Sequence, residues 1–124
     1  MNKFLKITTM FLAIFITFSS CNKDEPSVND NYYVKYVVKC SQSRYYVSKF
    51  SVNTDKGIVS FSDYQSTYWT QTYGPVKKGF TATATAESVY PTIEIYASKN
   101  QEPFALKTTN TSNTKVTASY TIDF

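Results

Sequence analysis

From residue 32 onward, apolar and polar side chains alternate along the chain with a period of two. The alternation is clearest in the first run, whose apolar side chains share one face: Tyr32, Val34, Tyr36, Val38 and Cys40. Because successive side chains of a β-strand point to opposite faces, this spacing predicts a half-buried strand. Further short runs rich in Val, Ile, Thr and Tyr follow, and none keeps a helical period with caps over three turns. The pattern therefore predicts an all-β fold.

Turn residues separate these runs at regular intervals. Residues 44–53 are predicted to form a second strand, and Asn53-Thr54-Asp55-Lys56-Gly57 supplies the Asn, Asp and Gly of a hairpin turn. A third strand is expected around residues 58–62. Residues 64–73 hold aromatic side chains in both phases, so the pattern leaves their inward face open. Gly74-Pro75 is predicted to break this run.

The later runs alternate cleanly. Ala82, Ala84 and Ala86 are separated by threonines and are predicted to face the core. The last run continues with the same period to Phe124. Seven to eight strands within residues 32–124 favour a small antiparallel β-sandwich, with a barrel as the alternative.

The first residues have the features of an export signal. Lys3 and Lys6 precede an apolar stretch from Ile7 to Phe18, as in the core of a signal peptide. At about 1.5 Å per residue this stretch makes a helix of roughly 18 Å, which is shorter than a hydrocarbon core of about 30 Å. Residues 1–20 are therefore predicted to be a removable signal peptide rather than a permanent membrane span.

The signal ends in Phe18-Ser19-Ser20-Cys21, which resembles the lipobox of bacterial lipoproteins. In that family the cysteine thiol is alkylated by diacylglycerol, the chain is cut before it, and the new N-terminus is acylated. The resemblance implies that Cys21 is the first mature residue and carries the lipid anchor. Residues 21–31 are then the lipidated cysteine and a flexible tether, because Val28 is the single apolar residue among residues 22–31.

Charged residues follow the lipobox cysteine closely. Lys23, Asp24 and Glu25 resemble the export signal of Bacteroidota-type surface lipoproteins. The resemblance implies a lipid-anchored protein of the outer membrane that is displayed on the cell surface. The alternative is a solvated spacer on a lipoprotein that faces the periplasm.

Three strings of the β domain carry a second resemblance. They are Tyr36-Val37-Val38, the run from Tyr73 to Phe80 that reads YGPVKKGF, and the closing Tyr120-Thr121-Ile122-Asp123-Phe124. They are similar to small secreted lipoproteins of Bacteroidota-type bacteria and, more distantly, to the soluble β-domain of the MmpS family of mycobacterial membrane proteins. The resemblance implies an immunoglobulin-like sandwich. It supplies no catalytic residues, and MmpS proteins act as accessory proteins beside lipid-exporting transporters.

Composition excludes several kinds of active site. The chain has no His, which rules out Ser-His-Asp and Cys-His nucleophiles and His-ligated zinc. Most of the acidic residues from residue 32 onward are predicted in turns or on polar strand faces, so neither paired carboxylates for glycoside hydrolysis nor a calcium loop is expected. We therefore predict a non-enzymatic protein with no catalytic residue, metal site or cofactor. If Cys21 is lipidated, Cys40 has no disulfide partner in the chain and is predicted to be buried.

Aromatic side chains are more numerous than one small core can hold, since the chain has 11 Tyr, nine Phe and one Trp. Exposed rings stack on sugar rings or anchor a protein partner, and a net charge of +4 suits an anionic ligand. The candidate ligand-binding residues are Tyr33, Tyr45, Tyr64, Tyr68, Trp69, Lys35, Lys39 and Arg44. The alternative is that tyrosines, as good strand formers, only cover the polar faces of the sheets.

Together these features predict a membrane-anchored, exported lipoprotein that binds a glycan, an envelope component or a host protein through an aromatic and basic face. The alternative is an accessory or structural subunit of an envelope complex, such as a transporter. Nucleic acid is not an expected partner, because a lipid-anchored exported protein rarely meets it. The pattern does not predict an oligomeric state.

Overall fold

The computed structural model describes residues 30–42 and 44–124, which form eight β-strands and no helix. The strands are β1 (Tyr32–Cys40), β2 (Lys49–Thr54), β3 (Gly57–Ser62), β4 (Tyr68–Val76), β5 (Thr81–Glu87), β6 (Pro91–Lys99), β7 (Ala105–Thr111) and β8 (Lys115–Thr121). All the pairings are antiparallel. The prediction of an all-β sandwich of seven to eight strands is confirmed.

The strands form two four-stranded sheets. We refer to the sheet with the order β4-β1-β6-β7 as sheet A, and to the sheet with the order β3-β2-β5-β8 as sheet B. Only the β2–β3 and β6–β7 hairpins stay within one sheet, and every other connection crosses between the sheets. The chain therefore builds both layers together, and residues distant in sequence meet on each face.

The core lies between the two sheets and follows the alternation of the sequence. The inward side chains of β1 are buried as predicted, and so are Ala82, Ala84 and Ala86 of β5. These small alanines leave room for large side chains of the opposite sheet. One of them is Tyr36, which is fully buried and donates a hydrogen bond from its hydroxyl to the Asn53 carbonyl oxygen at 2.6 Å. Burial raises the pKa of Tyr36 well above its ordinary value.

The prediction that Gly74-Pro75 ends the strand is wrong, because β4 continues through these residues to Val76. The register between β1 and β4 shifts between the pairs of Tyr32 and Val34, so β4 holds an extra residue in a bulge. Gly74 has a φ of +144° there, and a Cβ on it would lie 2.8 Å from the Tyr32 carbonyl oxygen. Proline is tolerated because β4 is an edge strand, where one N–H faces no partner.

The start of β2 also differs from the prediction. Residues 44–48 were predicted to be strand but lie in a loop, where the Val47 N–H donates to the Ser66 carbonyl oxygen at 2.8 Å. The predicted hairpin turn is confirmed, with Gly57 at a φ of +107°. Cys40 is buried as predicted, and its Sγ lies 3.0 Å from Ser88 Oγ.

β8 ends at Thr121, before the predicted Phe124, and the last residues pack against the sandwich. The Tyr120 hydroxyl donates a hydrogen bond to Asp123 Oδ1 at 2.8 Å. Lys107 Nζ of β7 lies 4.0 Å from the ring centroid of Phe124, and the Tyr32 hydroxyl donates to the Phe124 carbonyl oxygen. Desolvation, together with the hydrogen bond and the charge of Asp123, raises the pKa of Tyr120 to about 12.

This pKa predicts a loss of stability in alkali. The phenol of Tyr120 ionises near 10.0 in an unfolded chain and near 12 when folded, so the folded state favours the neutral form. The stabilisation is complete below pH 10 and is lost as the pH rises through about 12. Asp123→Asn should lower the folded pKa of Tyr120 toward 10, which the ultraviolet absorbance of tyrosinate measures. Glu102→Gln is the control, and an unchanged titration in Asp123→Asn would contradict the assignment.

Candidate functional site

The outer surface of sheet A carries aromatic and basic side chains side by side. We refer to it as the aromatic-basic face and define it by Tyr33, Lys35, Lys39, Tyr68, Glu94, Tyr96, Phe104 and Leu106. These residues come from β1, β4, β6 and the start of the β7 segment. The polar phase of the β1 alternation points outward here, because the apolar phase fills the core.

The strand register brings these side chains together. Lys35 lies directly between Thr72 of β4 and Tyr96 of β6, so all three point to the same face. Tyr96 in turn pairs with Leu106 of β7. Side chains directly opposite each other on neighbouring strands are about 5 Å apart at Cβ, close enough for contact. The face is therefore continuous across the sheet.

Lys35 is held by aromatic rings rather than by a carboxylate. Its Nζ lies 4.6 Å from the ring centroid of Tyr96 and 5.1 Å from that of Phe104, within the range of a cation–π interaction. Among the ion pairs between described residues, none involves Lys35. Its positive charge is therefore fixed in position but not neutralised by an acid.

Glu94 fixes the neighbouring part of the face. Its Oε2 lies 3.5 Å from Lys39 Nζ, and its Oε1 accepts a hydrogen bond from the Tyr96 hydroxyl at 3.2 Å. Desolvation, and then the charge and hydrogen bond of Glu94, raise the pKa of Tyr96. Tyr96 therefore stays neutral at physiological pH, with Lys35 Nζ over its ring.

The middle of the face, at Val37 of β1, is apolar and is covered from solvent. Val37 belongs to the outward phase of β1 and yet is only 4% exposed, so the long side chains around it cover it. Tyr68 and Leu106 remain 49% and 50% exposed, and both stand on this side of sheet A. The surface thus combines accessible apolar area with one uncompensated cation.

The structure brings four of the eight predicted ligand-binding residues together on this face: Tyr33, Lys35, Lys39 and Tyr68. Arg44 and Tyr45 lie instead in the loop between β1 and β2, with Tyr45 packed against the core. Tyr64 lies in the loop between β3 and β4, where its ring meets that of Phe50 edge-on at 5.7 Å.

Trp69 requires a correction, because it is 7% exposed and belongs to the core. Its ring centroid lies 4.8 Å from that of Phe50 and 5.1 Å from that of Phe61. Tyr68 and Trp69 are adjacent on β4 and so face opposite sides of the sheet. The inward face that the sequence pattern left open is the one that holds Trp69.

Four residues of the face were not among the predicted ligand-binding residues: Glu94, Tyr96, Phe104 and Leu106. The last two belong to the β7 segment. Their place depends on the pairing of β6 with β7, whose register shifts between Ile95 and Tyr96. No local pattern reveals that shift. Tyr96 was more accessible to prediction, since it occupies the outward phase of a strand whose Ile93, Ile95 and Ala97 point inward.

The outer surface of sheet B differs along β5 and β8, where hydroxyl groups of the two strands pair with one another. Hydroxyl pairs join β5 to β8 at 2.8, 2.9 and 3.2 Å: Thr81 with Thr121, Thr83 with Ser119, and Thr85 with Thr117. At the end of this ladder Glu87 lies 3.6 Å from both Lys49 and Lys115. The hydroxyl groups of β5 and β8 are therefore already paired with one another.

Residues 30–42 and 44–124 contain no helix that is long and apolar enough to cross a membrane. In the same part of the chain, no three His, Cys, Asp or Glu side chains gather closely enough to hold a metal ion. The predicted signal peptide, the lipidation site Cys21 and the export signal Lys23, Asp24 and Glu25 lie outside the described residues. The chain matches no protein-family model, and no curated protein or solved structure is significantly similar to it.

Proposed function

We propose that the chain is a non-enzymatic binding module whose aromatic-basic face takes an acidic oligosaccharide. The observation that carries the proposal is the position of Lys35, whose charge lies against the rings of Tyr96 and Phe104 and has no carboxylate partner among the described ion pairs. A uronic acid offers both complements, because its carboxylate pairs with an ammonium and its ring packs on an aromatic face.

The layout of the face supports an extended ligand rather than a deep-bound small molecule. Tyr33, Lys35 and Lys39 lie along one strand, and residues of the same face on one strand repeat about every 6.6 Å. Tyr68 stands at the Lys39 end of this row, on the neighbouring strand. Sugar units running along β1 would meet the Tyr33 ring and Lys35, pass over the covered Val37, and reach Lys39 at the far end. Sheet faces of this kind bind by surface area and rim charges, so we expect moderate affinity.

We also propose a cellular location for the module. We propose that Cys21 carries a lipid anchor and that residues 21–31 tether the sandwich to the outer membrane, with Lys23, Asp24 and Glu25 directing it to the cell surface. Several acyl chains give stable anchoring, whereas one gives marginal binding. A surface location would expose the face to glycans, and a periplasm-facing location would expose it to envelope polymers.

Binding of oligosaccharides tests the function. We expect the full chain in detergent to bind carboxylated oligosaccharides in preference to neutral ones of the same length, and Lys35→Glu to weaken that binding at least tenfold. A charge-assisted contact contributes about 1.5–3 kcal/mol, and about 1.4 kcal/mol corresponds to a factor of ten. The direct measurement is a titration of each variant by biolayer interferometry.

Lys78→Glu is the matched control, because it makes the same charge change in the exposed turn between β4 and β5. We expect this variant to bind as the parent does, apart from a small effect of net charge. Equal loss in Lys78→Glu and Lys35→Glu would reduce the effect to overall charge. Binding of neither carboxylated nor sulfated oligosaccharides would overturn the proposal.

The second candidate is an accessory subunit of an envelope complex, and the exposed apolar side of the same face favours it. Leu106 of β7 is half-exposed, and Phe104 lies just before that strand on the same face. Such apolar side chains are typical of a protein contact. A stoichiometric membrane-protein partner captured from solubilised membranes, and lost in Leu106→Asp, would support this role over glycan binding.

A further inference from the structure

The four edge strands of the sandwich differ in how well they are protected against pairing with another chain. β4 carries the bulge and Pro75, both of which discourage strand addition. Side chains connect the edges formed by β7 and β8. Asn110 Nδ2 of β7 donates a hydrogen bond to the Thr117 carbonyl oxygen of β8 at 2.8 Å, and Lys107 of β7 covers the ring of Phe124. These three edges therefore carry features that hinder strand addition.

Strand β3 is the unprotected edge. Its sequence GIVSFS has no charged residue and no proline, and its register with β2 runs without a shift. Ile58, at its start, is 75% exposed. An exposed, uncharged edge without a bulge is a ready template for pairing with another strand.

The hairpin determines which backbone groups of β3 are open. A two-residue turn, Asp55-Lys56, joins Thr54 to its direct partner Gly57. In such a hairpin the pairs that exchange hydrogen bonds alternate, starting from the pair that flanks the turn. Backbone groups of Gly57, Val59 and Phe61 therefore face β2. Those of the three alternate residues point to the open edge: Ile58, Ser60 and Ser62.

We propose that this edge binds a second copy of the chain, with the two β3 strands antiparallel about a two-fold axis at Ser60. All three open residues then pair, because Ser60 meets Ser60 of the second copy and Ile58 meets its Ser62. The two B sheets join into one continuous sheet of eight strands. An interface of this type is self-complementary, as a two-fold dimer requires.

Charge complementarity selects this register. In this register Lys56 of each copy lies opposite residue 64 of the other copy, next to Asp63. The two-fold axis repeats this contact at both ends of the strand. Lys56 and Asp63 are both exposed, and neither forms an ion pair within the described part of the chain. Opposite charges at the ends of a short strand fix its orientation and disfavour a slipped register.

Cross-linking through an engineered cysteine tests the pairing directly. Residues that exchange both hydrogen bonds in an antiparallel pair have Cα atoms about 5.5 Å apart, within the range that a disulfide spans. Ser60→Cys in a Cys40→Ser background should therefore give a disulfide-linked dimer of the full chain in detergent under mild oxidation. Ser51→Cys, on the same outer surface but one strand inward, is the control and should stay monomeric.

A charge reversal tests the register. Added to Ser60→Cys, Lys56→Asp should reduce the dimer yield several-fold, and the double reversal with Asp63→Lys should restore it. Restoration distinguishes pairing from chance collisions in the micelle, which charge reversal would not rescue. Dimer formation by Ser60→Cys no greater than by Ser51→Cys would overturn the proposal, as would a yield that does not respond to Lys56→Asp.

Discussion

Replacing Trp69 with alanine should lower the free energy of unfolding by about 3–5 kcal/mol, the usual cost of deleting a buried aromatic side chain. Trp69 is nearly buried and touches Phe50 and Phe61, whose rings stack at a centroid distance of 4.6 Å. These three rings fill the open side of the sandwich between β3 and β4. A domain of this size has a free energy of unfolding of only about 5–15 kcal/mol, so the variant should lose a large part of its stability. Urea denaturation followed by circular dichroism measures the change.

Tyr68→Ala is the matched control for this substitution. It removes an aromatic side chain from the adjacent position of the same strand, but that side chain is half-exposed on the outer surface. We expect a change within about 0.5 kcal/mol, as for most surface substitutions. Equal losses at positions 68 and 69 would contradict the assignment of Trp69 to the core and Tyr68 to the face.

Cys21→Ser should abolish lipid attachment completely. The thiol of residue 21 is the atom that the lipobox resemblance assigns to diacylglycerol, and serine offers no thiol for the thioether. In a Gram-negative host grown with an alkyne-labelled fatty acid, we expect label on the parent chain and none on Cys21→Ser. Fluorescence of the labelled band after click chemistry gives the readout.

The second cysteine provides the control for that experiment. Cys40 is buried in the sandwich beside Ser88, so Cys40→Ser should keep its label. Retention of label in Cys21→Ser, or its loss in Cys40→Ser, would show that the lipobox was wrongly identified and would remove the basis for a membrane anchor.

The strands that pack on one face only were predictable from alternation alone. β1 has the bounds read from the sequence, Tyr32–Cys40, because every second side chain enters the core without interruption. β5 was equally clear, since Ala and Thr differ in polarity at each step. In both strands a one-residue slip would place the whole apolar set in water, so the pattern determines the inward face.

Strand β4 was not predictable in the same way. Tyr68, Trp69 and Tyr73 are aromatic in both phases, and which phase is inward depends on the Phe50 and Phe61 rings of another sheet. Tolerance of Gly74-Pro75 within the strand likewise depends on β4 lying at an edge. Both facts belong to the tertiary arrangement, which local periodicity does not contain.

The aromatic-basic face was half predictable for a related reason. Tyr33, Lys35 and Lys39 could be assigned to one surface from the phase of β1. The partners of Lys35 could not, because Tyr96 and Phe104 reach it only through the pairing of β1 with β6 and the β6–β7 hairpin. A lysine held by rings and a lysine free in solvent look the same in sequence.

The most direct test of the aromatic-basic face is an NMR map of where an acidic oligosaccharide binds. Tetragalacturonate titrated into the isotope-labelled full chain should shift the amide signals of β1 and β6, with the largest changes at Lys35 and Tyr96. The hydroxyl ladder of β5 and β8 is the internal control and should stay unchanged. Shifts confined to sheet B, or no saturable shift with carboxylated or sulfated oligosaccharides, would contradict the proposed binding surface.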